Sequence, residues 1–76
     1  MRYFEFDFEK NNGKIVYSVS IECQEIEQDY FIYLNFEEAK QHFKNLKRGN
    51  TDKNYSYTLN KCLVENDELK IIDSIY

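Results

Sequence analysis

Apolar and polar residues alternate strictly at the start of the chain, where Phe4, Phe6 and Phe8 are separated by Glu5, Asp7 and Glu9. A period of two predicts a half-buried β-strand over about Arg2–Glu9, with three phenyl rings on one face and three carboxylates on the other. Asn12-Gly13 follows, and this dipeptide predicts a hairpin turn because both residues tolerate positive φ. Alternation resumes over Ile15–Cys23. Ile15, Tyr17, Val19, Ile21 and Cys23 share one face, and Ser18, Ser20 and Glu22 share the other. Gln24–Asp29 is polar and acidic and reads as a loop or a single helical turn. Tyr30–Leu34 is dense in aromatic and β-branched residues, as in a strand with both faces at least partly covered.

The period then changes. Phe36, Ala39, Phe43 and Leu46 recur at helical spacing, which predicts an amphipathic helix over 36–48. Asn35 is a suitable N-cap, and Glu38 stands three residues later in the capping-box relation. Glu37 and Glu38 fall in the first turn and Lys44, Lys47 and Arg48 in the last, an order the helix dipole favours. Gly49 reads as the stop. Tyr55, Tyr57 and Leu59 alternate with Ser56, Thr58 and Asn60 in a further strand to about Val64. Glu65-Asn66-Asp67-Glu68 makes a turn, and Leu69–Tyr76 is the last strand. The order is β-β-β-α-β-β. One amphipathic helix covers one face of one sheet, so the expected fold is a two-layer α+β domain with an antiparallel sheet of about five strands. The polar residues of each strand, Glu5, Asp7 and Glu9 among them, are then expected on the uncovered face.

Seventy-six residues suit a single compact domain, residues 1–76. Six Phe and seven Tyr with no Trp must supply most of its core, and two Gly with no Pro leave little room for long loops. The start of the chain has no apolar leader and no run long enough to cross a membrane, so a cytoplasmic protein with two reduced thiols, Cys23 and Cys62, is expected. The net charge of −4 disfavours a general nucleic-acid binder, yet the charge is segregated. Residues 1–38 carry three basic and nine acidic side chains, whereas residues 39–53 carry five basic and one acidic. Such segregation points to a polar partner more than to a small ligand.

Catalytic equipment is sparse. His42 is the one histidine, no Cys-x-x-Cys or His-x-x-x-His spacing exists, and Gly13 and Gly49 are isolated, so neither a metal centre nor a phosphate cradle is expected. The expectation is a non-enzymatic module without cofactor or metal. Its candidate partner surface is acidic and rich in tyrosine: Tyr3, Glu5, Asp7, Glu9, Glu22, Glu25, Glu27, Asp29 and Tyr33. Spaced carboxylates imitate a phosphate track, so the expected partner is a larger protein with a basic groove, of the kind that handles nucleic acid. In composition the chain resembles the small, Pro-free, Lys/Asn/Ile/Tyr-rich inhibitors of host machinery found in phages and mobile elements, anti-CRISPR proteins among them. Two alternatives stand beside this reading. Lys40, Lys44, Lys47 and Arg48 on one flank of the helix suit a nucleic-acid-binding or regulatory domain. An unpaired edge strand suits a homodimer.

Overall fold

Two tight turns and one helix set the architecture. The computed structural model describes residues 1–76 and contains four strands, β1 (Ile15–Cys23), β2 (Ile26–Tyr33), β3 (Tyr55–Glu65) and β4 (Glu68–Ser74), with helix α1 (Phe36–Gly49) between β2 and β3. The strands form one antiparallel sheet in the order β2-β1-β3-β4. Asn66 and Asp67 link β3 to β4 with φ of 52° and 62°, values these short polar side chains tolerate. Gln24 and Glu25 link β1 to β2 with φ of 51° and 69°. Neither residue type favours that region, and the segment expected as a loop is therefore a two-residue turn, with β2 starting at Ile26.

Helix α1 matches its sequence pattern. The Asn35 side-chain oxygen accepts from the N–H of Glu37 at 2.7 Å and of Glu38 at 3.4 Å, satisfying two donors of the first turn. Gly49 is the last helical residue and not the left-handed stop expected of it; the chain leaves through Asn50, whose N–H bonds the Lys47 carbonyl. Ala39 and Phe43 bury themselves against Val19 and Leu59, flanked by Tyr17, Phe31, Phe36, Leu46 and Ile75. The carboxyl end adds to this layer. Ile75 and Tyr76 exchange backbone bonds of 2.9–3.1 Å with Leu59, and the Tyr76 ring stacks on Phe43 at 5.3 Å.

The first nine residues do not form a strand, so the sheet has four strands and no ladder of carboxylates. Tyr3–Glu5 is a turn of 3-10 helix, and turns continue through Gly13, where φ is +84°. Asp7 organises them: its carboxylate accepts from the Lys10 N–H at 2.9 Å, and its carbonyl accepts from the Asn11 side chain at 2.7 Å. Burial is the reason for the difference. The sheet face opposite α1 exposes Val16, Ile32, Cys62 and Val64, and the amino-terminal segment crosses it to cover them with Phe6, joined by Phe8 and Tyr30. Period-2 patterning satisfies a strand equally well, but covering four apolar side chains outweighs a local propensity worth about 1 kcal/mol. Met1 and Arg2 pair with the β2 edge, through an Ile32 N–H bond to the Met1 carbonyl and a bridge from Arg2 to Phe31.

The covered half of that face also hides residues expected on a polar outer surface. Ser18 and Ser20 are buried; Ser18 bonds Cys62 and Ser20 bonds Thr58 across the strands. No helix is long and apolar enough to cross a membrane. The three rings of the opening motif now have unequal roles, because Phe6 is buried and Phe4 is 77% exposed. Phe6→Ala should cost about 3–5 kcal/mol in urea unfolding, comparable to the whole stability of so small a domain, while Phe4→Ala should cost under about 0.5 kcal/mol. Similar losses for both would restore the strand.

Candidate functional site

An open groove of about 470 Å³ lies on the sheet face opposite α1, lined by Tyr3, Glu27, Tyr30, Glu68 and Leu69. Each lining residue arrives from a different local cause. Tyr3 is presented by the 3-10 turn and held by edge-to-face contacts with Phe8 at 5.4 Å and Tyr30 at 5.3 Å. Glu27 and Tyr30 come from β2, the first of them just beyond the Gln24-Glu25 turn. Glu68 and Leu69 open β4 directly after the Asn66-Asp67 turn. The Tyr30 ring packs with the buried cluster beneath the segment, and burial pushes its phenol up from the ordinary tyrosine value while a hydrogen bond with Ser18 pulls it back.

The electrostatics of the groove are one-sided. Glu22 and Glu27 are partners in the β1–β2 register, an arrangement of like charges that destabilises a sheet. The one ion pair in the protein is Arg2 with Asp29 at 3.4 Å, so Glu22, Glu27 and Glu68 have no cationic partner. Glu27 and Glu68 border the groove together with two tyrosines, residue types that can receive a guanidinium or ammonium group. The carboxylates supply charge-assisted acceptors and the ring faces supply cation–π attraction.

Of the surface residues expected from the sequence, Tyr3 and Glu27 line the groove, and Glu22 pairs in register with Glu27. Glu25 sits at the tip of the β1–β2 turn beside them. Glu5, Asp7 and Glu9 are exposed on the covering segment, but on turns and not along one strand face, and the Asp7 carboxylate is engaged by the Lys10 N–H. Asp29 and Tyr33 lie apart. Asp29 pairs in register with Ile21, whose alternation places it on the α1 face, and its carboxylate meets Arg2. The Tyr33 hydroxyl and His42 Nδ1 share a hydrogen bond of 2.6 Å between β2 and α1. Sequence reasoning missed Glu68, Leu69 and the closing role of Tyr30. Asn66-Asp67 was the available signal, since a two-residue turn there fixes Glu68 as the first residue of the edge strand. Lys40, Lys44, Lys47 and Arg48 lie on α1, across the sheet from the groove, with Lys40 over the Phe36 ring and Lys47 over the Phe43 ring.

Other chemistry-bearing groups are dispersed. Cys23 and Cys62 are free thiols, and burial pushes the Cys62 thiol up, away from the reactive thiolate. No three His, Cys, Asp or Glu side chains are grouped as metal ligands would be. Comparison with family models, curated proteins and solved structures finds no match to this chain.

The Tyr33–His42 pair sets a pH dependence of the fold. Burial against Phe31 and Tyr33 lowers the His42 pKa from 6.5, the nearby amino terminus lowers it further, and Asp29 opposes them. The unfolded chain thus takes up the proton before the folded one. The stability this histidine contributes is complete above pH 6.5 and declines as pH falls through its lower folded value. The thermal midpoint should drop over that interval more steeply in the natural protein than in His42→Gln. Parallel profiles would show that His42 is not desolvated in the folded state.

Proposed function

We propose that this chain is a non-enzymatic protein-binding module, an inhibitor or adaptor that docks a basic side chain of a larger protein into the Tyr3–Tyr30 groove. The observation that carries the reading is a groove lined by two tyrosines and the unneutralised Glu27 and Glu68, with Glu22 in register beside Glu27. These charges weaken the isolated fold and gain value only against a cation brought from outside. Tyrosine suits the centre of an interface because it is flat, rigid and half polar. Glu25 at the turn tip and Glu5 and Glu9 on the covering segment extend the acidic rim.

The partner fitting this surface is a protein with an arginine- or lysine-lined groove, such as one that handles nucleic acid. Occupying that groove would exclude its nucleic acid, as the anti-defence proteins of phages and mobile elements do to host machinery. Edge pairing with a second copy has less support. β2 and β4, the two edge strands, each carry a bulge, at Gln28 and Ile72, and bulges blunt an edge against further pairing.

The test compares capture from a bacterial lysate by the natural chain and by Glu27→Lys/Glu68→Lys, both checked by thermal melting. A protein retained at low salt by the natural chain should be lost, by about a hundredfold or more in affinity, with the variant. Retention of the same protein by the variant would refute the groove as the docking site.

A further inference from the structure

A second groove, on the opposite side of the sheet, has the reverse chemistry. It runs beneath the carboxyl end of α1, where two adjoining hollows of about 440 and about 310 Å³ share Asn50, Tyr55 and Tyr57. Ile21 and Leu46 complete its floor and Lys47 stands at its rim, with no acidic residue in the lining. Tyr55 and Tyr57 are alternate residues of β3, so they project from one face roughly 7 Å apart. Neither ring is engaged by another aromatic ring, and neither hydroxyl makes a hydrogen bond within the protein. Lys44, Lys47, Arg48 and Lys53 flank the groove in sequence and none of them is in an ion pair. The nearest carboxylate in the following loop, Asp52, is engaged by the Asn54 N–H at 2.9 Å.

We infer that this Tyr55–Tyr57 groove binds single-stranded nucleic acid, with a base stacked on the exposed Tyr55 ring and phosphates held by Lys47 and its basic neighbours. The exposed Tyr55 ring, with Tyr57 packed on the core beside it and lysines free of ion pairs nearby, suits an unstacked strand, which offers both aromatic surfaces and a regular negative charge. A duplex keeps its bases stacked inside and presents only phosphates to such a surface. The net charge of −4 does not oppose the contact locally, because no acidic residue lines this groove and Glu37 and Glu38 stand at the far end of α1. The inference stands apart from the acidic groove, since it involves no residue of that surface.

The test uses the full chain and a fluorescein-labelled deoxythymidine dodecamer, read by fluorescence anisotropy at low ionic strength, beside the same strand annealed to its complement. The single strand should bind and the duplex should bind markedly more weakly. Tyr55→Leu should weaken single-strand binding about tenfold with an unchanged salt dependence. Lys47→Gln should make the log–log salt slope shallower by about 0.7, the share of one phosphate on a single strand. Glu27→Lys/Glu68→Lys should leave Tyr55→Leu just as damaging, which separates this surface from the protein-binding one. Circular dichroism melts confirm that each variant folds. Equal affinity for single strand and duplex, an unaffected Tyr55→Leu, or no binding at about 100 µM protein would each overturn the inference.

Discussion

The structure depends on how one small sheet covers two faces with a single helix. α1 covers one of them, and the second would leave Val16, Ile32, Cys62 and Val64 in water if nothing crossed it. Phe6 closes that face. Burying a phenylalanine side chain is worth about 2–3 kcal/mol, a large share of what a domain this size has to spare. The crossing fixes the rest of the surface. It draws the amino terminus to the β2 edge, presents Tyr3 over Tyr30, and leaves the remainder of the face as the groove between Glu27 and Glu68. Fold stability and the candidate binding surface therefore share one cause.

The parts of the fold legible in the sequence are those whose signals are local. Asn35, the apolar stripe from Phe36 to Leu46 and the ordered charges define α1 without reference to anything else. Asn66-Asp67 announces its turn because both residues accept positive φ cheaply. The opposite holds for Gln24-Glu25. The same backbone conformation is imposed there on residues that do not favour it, by the pairing of Cys23 with Ile26 and of Glu22 with Glu27, so the turn leaves no composition signal. The opening Phe4–Glu9 alternation misleads for a related reason. Its period describes which side chains can be buried together, and only the apolar demand of the distant β1 and β3 residues decides that Phe6 is buried and Phe4 is not.

Charge segregation along the chain becomes segregation in space. Glu27 of the β1–β2 hairpin and Glu68 at the start of β4 border one face, and the basic residues at the carboxyl end of α1 lie over the other. The sequence indicates both sets, but it does not show that Asp29 is neutralised by Arg2, that Tyr33 is committed to His42, or that Glu68 stands across the groove from Glu27. These are consequences of register and of the two edge bulges, which shift each partner by one residue. The two faces present complementary chemistries, one suited to cations with aromatic support and one suited to anions with aromatic support.

The most direct test of the central claim is a nuclear Overhauser spectrum of the labelled protein. The packing described here predicts cross-peaks from the Phe6 ring to the methyl groups of Val16, Ile32 and Val64, and none of the Hα–Hα contacts that would pair residues 2–9 with Ile15–Cys23. The reverse pattern, with Phe6 silent toward those methyl groups and a ladder of Hα–Hα contacts along the first nine residues, would contradict it.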